Sequence, residues 1–219
     1  MLHYERKVLL DKIAQESQLR RAINAAIDQQ ATQLEANYPT IAEVLIRLNK
    51  QLRLQHAFYT EIQEAQTAAI EIRQGLKRLL DILEKVMNDN IWINSLGKGL
   101  PEDYWVNEML DEALDIAFEI KPHFEFLRAE LRDLHEHKHR LHHQTLSAIE
   151  FFKGEFPEYL VTSWILEQKL RSASNSSQRV LQVLDPLVRA LNDQLAETQD
   201  DIKQLKKHRS DLIIKHLKT

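Results

Sequence analysis

Between Pro101 and Phe152 the chain reads Pro101-EDYWVNEMLDEALDIAFEIKPHFEFLRAELRDLHEHKHRLHHQTLSAIEF-Phe152. Within this stretch Val106, Leu110, Ala113, Ala117, Ile120, Phe124, Leu127, Leu131, Leu134, Leu141, Ala148 and Phe152 recur at alternating steps of four and three, and Lys138 and Thr145 are the polar members of the series. That rhythm is the seam of a long amphipathic helix. At a rise of about 1.5 Å per residue, one helix over the whole stretch would reach roughly 75 Å, longer than a compact domain is wide. Helices of comparable length must lie beside it.

The flanking sequence supplies them. Before it, Val8, Leu9, Ile13, Leu19, Ile23, Ile27, Ala31 and Leu34 mark an apolar stripe that Asn37-Tyr-Pro-Thr40 ends. Thr40 and Glu43 have capping-box spacing, so a second helix should begin there. Its seam runs from Ile41 through Leu45, Leu48 and Leu52 to Met87, interrupted by Gln55, Gln66 and Arg73, polar layers of the kind that set register. Asn88-Asp-Asn90 should stop it, leaving Ile91 to Leu100 as the main connection. Trp92, Ile93 and Leu96 make that connection apolar, which suits a plug for the end of the bundle or a surface for a protein partner. Pro122 should kink the third helix without ending it, and Gly154 and Pro157 should end it. The polar run Ser172 to Ser177 reads as a discontinuity before Leu181, Leu184, Val188, Leu191 and Leu195 resume the seam.

These readings predict an all-α fold, an elongated antiparallel bundle of about four long helices with coiled-coil-like heptad seams. The helices fall at about 2–36, 41–88, 101–153 and 158–217, with a break near 172–177, in a single domain spanning 1–219. The composition agrees, since 4 Gly and 5 Pro in 219 residues leave few turns. The absence of Cys excludes disulfides and thiolate metal sites and fits a cytoplasmic setting. The first residues lack the apolar core of a signal peptide, and no window approaches a membrane span. A net charge of −4 gives no global attraction for nucleic acid or anionic lipid. Lys203, Lys206, Lys207, His208, Arg209, Lys215 and Lys218 make the last turns basic, but Asp200, Asp201 and Asp211 dilute them and no aromatic residues are interleaved.

Chemistry concentrates in Leu134-HEHKHRLH-His143. His135, His139 and His142 stand at helical offsets of four and seven, so on a continuous helix they would project along one stripe able to hold Zn, the one cofactor the chain suggests. His135-Glu136-His137-Lys138-His139 also satisfies His-Glu-x-x-His and over those five residues resembles the zincin metallopeptidases, in which two histidines bind Zn and the glutamate activates water. Arg132-Asp-Leu-His-Glu-His137 has Arg-x4-His spacing and resembles the catalytic motif of HEPN ribonucleases, all-α domains in which the pair acts on RNA at a dimer interface; the resemblance implies Arg132 and His137 as the catalytic pair. Helices of this length resemble BAR domains in outline. A di-iron carboxylate site would need a second Glu-x-x-His beside Glu136-x-x-His139, and none exists.

The strong signals concern helix association, whereas each catalytic signal depends on one histidine-rich run. The sequence therefore points to a non-enzymatic scaffold or protein-protein interaction module, self-associating as a homo-oligomer. A HEPN-like ribonuclease is the alternative, ahead of a metal-binding or metallopeptidase-like site. If the histidines share a helix stripe, protonation would set like charges side by side, and acid would weaken the fold.

Overall fold

The computed structural model describes residues 2–96, 103–153 and 169–217. Among the described residues the elements are α1 (Leu2–Asn37), α2 (Pro39–Leu96), α3 (Asp103–His135), a 3-10 turn (Lys138–Arg140), α4 (His143–Lys153) and α5 (Leu170–Leu217). No strand is present among them, and the chain is an all-α helical bundle. None of its described helices is long and apolar enough to cross a membrane.

The chain divides into two compact units. The first holds Met1–His56 and Gln199–Thr219, the second Ala57–Thr198. In the first unit α1 and the start of α2 form a hairpin turned on a single residue, Tyr38. Its carbonyl accepts the amides of Ile41 (3.0 Å) and Ala42 (2.9 Å), so Tyr38 caps α2 and Pro39 occupies the first helical position, where its missing N–H costs nothing. Thr40, expected to be the cap, is thus already inside the helix, two residues past Tyr38. The core of this unit is small, with Ala31, Leu34, Leu45 and Ile213 fully buried together. Arg209 ties the three helix segments, its guanidinium 2.9 Å from Asp28 and 2.8 Å from the Asn49 side-chain oxygen.

The second unit carries the larger core. Arg73 meets Asp185 at 2.8 Å, and seven residues back along α2 Gln66 meets Asn192, seven residues on along α5. Opposite steps of equal length mean that α2 and α5 run antiparallel in constant register, and both polar seam positions find partners within the chain. Arg78 pairs with Glu119 at 3.0 Å, and Glu61, earlier on α2, lies 3.6 Å from His137, just past the end of α3, so α3 runs antiparallel to α2 as well. α4 doubles back on α3 through Thr145, Ala148, Ile149 and Phe152, an apolar stripe with helical spacing, and Phe152 lies 6.4 Å, centroid to centroid, from Phe124.

Three boundaries differ from the sequence reading. α2 continues through Asn88-Asp-Asn90 to Leu96, so Trp92, Ile93 and Leu96 lie on its last turns instead of in a loop. Their side chains, like residues 97–102, fall outside the described residues. α5 runs unbroken across Ser172 to Ser177 because that run faces inward: Ala173, Ser174, Ser176 and Ser177 are buried, and small side chains there let a neighbouring helix approach. The part of the expected fourth helix at 158–168 lies outside the described residues. The third difference matters most: the helix expected over 101–153 is two helices, and the chain bends within the histidine run.

Close approach also explains Gly75, buried in the middle of α2. A Cβ placed there would collide with the Cγ2 methyl of Ile120 on α3. Alanine favours a helix interior over glycine by about 1 kcal/mol. Gly75→Ala should nevertheless lower stability by about 1–3 kcal/mol through overpacking. In urea unfolding, Gly75→Ala combined with Ile120→Ala should lose less than the sum of the two single changes, since the second removes the obstructing methyl.

Candidate functional site

The bend at 136–142 is the site that the sequence singles out, and its backbone shows how it forms. The amide of Glu136 donates to the Asp133 carbonyl (3.1 Å) and that of His137 to the Leu134 carbonyl (2.9 Å), three-residue steps that tighten the last turn of α3. Arg140 and Leu141 repeat the step to His137 and Lys138, at 2.8 and 3.3 Å. Leu141 is then extended (φ −87°, ψ 143°), and the His142 carbonyl accepts from Leu146 to open α4. A continuous helix would have aimed Lys138 into the core with the other seam residues; the bend leaves it exposed. Leu134 and Leu141, on either side, remain buried.

Two helices hold this elbow. From α5, the buried Gln194 donates its side-chain N–H to the Arg140 carbonyl at 2.7 Å, and Glu197 lies 3.0 Å from Nε2 of His142. On the α2 side the His137 ring sits edge-on to Phe58, centroids 5.2 Å apart, with Nε2 3.6 Å from Glu61. The Arg140 guanidinium lies 3.9 Å from the centre of the same Phe58 ring, a cation–π contact.

Carboxylates crowd the α2 side of the elbow. Burial pushes the Glu61 carboxyl above the ordinary range; His137 opposes that shift, while Asp133, Glu136 and Glu64 reinforce it. Glu130 is raised as well, by burial first and then by Glu64, Asp133 and Glu61. On the far side of α3, Glu150 of α4 is held down by its hydrogen bond to Lys153. There a groove of about 600 Å³ opens between α3 and α4, floored by Leu131, Ile149 and Phe152 and edged by Arg128, Arg132, His135 and Lys153.

The bend disperses the residues that the sequence grouped. His135 ends α3 and lines the α3/α4 groove, with a buried Nδ1 that makes no hydrogen bond. His139 is exposed in the 3-10 turn, and His142 faces α5. The stripe His135, His139, His142 therefore does not form, because its spacing presupposed a helix that stops at His135. The His-Glu-x-x-His match loses its shared face for the same reason. Among the described residues no group of three or more His, Asp or Glu side chains is placed to hold a metal ion. Arg132 and His137 separate too: Arg132 lines the groove toward α4 and His137 packs against α2. In the basic last turns Arg209 is a structural tie and Lys203 pairs with Asp200 at 2.8 Å.

Phe58, Glu61, Gln194 and Glu197 carry the elbow, and no local pattern around them distinguishes them from other helix residues. A different signal was present for Phe118 and Phe126, which stand 56% and 45% exposed on α3. Each sits one residue off the seam positions Ala117 and Leu127, where a large apolar side chain has no core to enter. Comparison with known proteins finds no matching family model, no similar curated protein and no similar solved structure.

A carboxyl whose folded pKa is raised binds its proton more tightly in the fold, so its ionised form opposes folding near neutrality and the penalty fades as pH falls through the raised value. Glu61 and Glu130 should thus make the fold gain stability on mild acidification, and the shared histidine stripe expected to oppose this is absent. Glu150 acts the other way, but only as pH drops below the ordinary carboxylate value. Thermal melts stepped down from about pH 7.5 should show the midpoint rise as the pH falls through the raised carboxyl values toward the ordinary value of 4.5. Glu130→Gln should raise the midpoint near neutrality by ~1–2 °C, as suits a partly solvated group worth roughly 0.5 kcal/mol, and should flatten the pH dependence.

Proposed function

We propose that this chain is a non-enzymatic helical interaction module of the cytoplasm that self-associates and offers helix faces to protein partners. The observation that carries this reading is the exposure of large apolar side chains in helix interiors: Leu19 (63%), Ile23 (50%), Phe118 (56%) and Phe126 (45%). Bare aromatic and aliphatic groups on long helices favour burial against another surface. The polar groups of the elbow, by contrast, are engaged in fastening α2 and α5 to the bend, which is a structural use. Light scattering coupled to size-exclusion chromatography tests the proposal. Across the micromolar range the mass should climb from one chain toward two, and the mass of a single chain at every concentration would refute it.

A further inference from the structure

The net charge of −4 conceals a partition between the two compact units. The first holds fourteen Lys and Arg against nine Asp and Glu, a net +5, whereas the second carries −9. Part of the positive excess gathers on one face of α2. From Val44 to Thr60 the sequence has no acidic residue and includes Arg47, Lys50 and Arg53. At 3.6 residues per turn these three fall with Ile46 and Leu54 on one arc of about a third of the helix circumference. The arc lies opposite the buried Leu45 and Leu48, and all five of its side chains are exposed, Ile46 to 58% and Leu54 to 56%. Glu43, one turn earlier, is the acid that shares the arc, and the face remains net positive. Among the described residues the side chains of Arg47, Lys50 and Arg53 make no ion pair or hydrogen bond. Other cations of the same unit are engaged within it, Arg209 with Asp28 and Lys203 with Asp200.

We propose that this face of α2 seats on a membrane surface rich in anionic lipid, with Ile46 and Leu54 entering the headgroup layer and Arg47, Lys50 and Arg53 on lipid phosphates. The inference goes beyond the association proposed above and does not depend on it. Three kinds of anionic surface compete for such a face. Protein interfaces gather aromatic residues and are depleted of lysine, and this face has no aromatic residue. Nucleic acid would engage the cations but leave Ile46 and Leu54 in water, with no ring on which a base can stack. An anionic bilayer uses both components. Aliphatic side chains of an amphipathic helix lying in the surface enter the boundary between headgroups and acyl chains, and each cation adds attraction to the negative leaflet. The long stems of Arg47, Lys50 and Arg53 follow Ile46 and Leu54 inward while their charged ends stay among the headgroups. No helix has to cross the bilayer, and none of the described helices is built to.

Co-sedimentation of the full chain with lipid vesicles tests this. Phosphatidylcholine vesicles containing roughly one-third phosphatidylserine should carry the chain down, and pure phosphatidylcholine should carry down little. Arg47→Gln, Lys50→Gln and Arg53→Gln together should weaken binding at least roughly tenfold. Ile46→Ser with Leu54→Ser should weaken it at least roughly threefold with no change of charge. As a control, Lys77→Gln, Arg171→Gln and Arg179→Gln remove equal charge from exposed positions of the second unit and should leave vesicle binding as it was. Every substituted side chain is exposed, and thermal melting should show that each variant folds. Equal binding to the two kinds of vesicle, binding to neither, or a loss no greater in the α2 charge variant than in the control would overturn the proposal. So would binding that Ile46→Ser with Leu54→Ser leaves undiminished. In that last case, a single-stranded RNA bound through the same three cations would identify a polyanion site in place of a membrane face.

Discussion

The second unit is shaped by the cost of burying one ammonium group. Lys138 occupies a position that the seam of α3 would carry into the core, and desolvating an unpaired charge there costs several kcal/mol or more. Ending the helix at His135 and turning through a 3-10 segment leaves Lys138 in water while Leu134 and Leu141 stay buried. Thr145, the other polar residue of the series, is fully buried, and its hydroxyl makes no hydrogen bond. An orphaned hydroxyl costs about 1–3 kcal/mol, an amount that the apolar burial of its α4 neighbours Ala148, Ile149 and Phe152 can offset. The chain therefore bends around the charge and tolerates the hydroxyl. Everything distinctive about the site, from the α3/α4 hairpin to the divergence of the histidines, follows from that asymmetry.

A bend needs external support, since its amides and carbonyls are not all used within it. The Arg140 carbonyl is satisfied by Gln194, a buried side chain that reaches from α5. Correct placement of Gln194 depends in turn on the register of α5 against α2, which the Arg73–Asp185 and Gln66–Asn192 pairs define. Partly exposed pairs of this kind contribute little net stability, of order 0–1 kcal/mol. Their effect is to exclude neighbouring registers, which would carry Gln194 away from the elbow. Polar interruptions in an apolar seam act here as intramolecular alignment, and for that reason they supply no argument for association between copies.

Much of the fold was legible because heptad seams, the Asn37-Tyr-Pro-Thr40 punctuation and the scarcity of glycine are local properties. The bend was not, and the reason is geometric. Leu134 and Leu141 both point into the core across the turn, so their seven-residue separation is preserved whether the chain between them is helix or elbow. Periodicity in the sequence reports which residues are buried and is silent about the path that buries them. The serine run failed in the opposite sense: its weak helix propensity suggested a break, but the packing of Ala173 and Ser177 against neighbouring helices overrides a few tenths of a kcal/mol per residue. The histidine spacing lost its meaning with the helix it assumed, so a recognisable motif survived in the sequence without the shared helix face it implies.

The acids of α3 have an ordinary use that separates cleanly from an associative one. Negative charge near a helix N-terminus complements the macrodipole. The effect falls off within the first turn, however, and Asp111 and Asp115 lie two and three turns in. They gain little from the dipole. Their mutual repulsion, if anything, disfavours the isolated helix, because they sit four residues apart on one face. Exposed Phe118 beside them gains nothing from water either. A face that combines repelling charges with a bare aromatic ring is locally unfavourable in the isolated chain on both counts. Both penalties are relieved together by a surface that brings cations and apolar area at once, whereas counterions from solution would screen only the first.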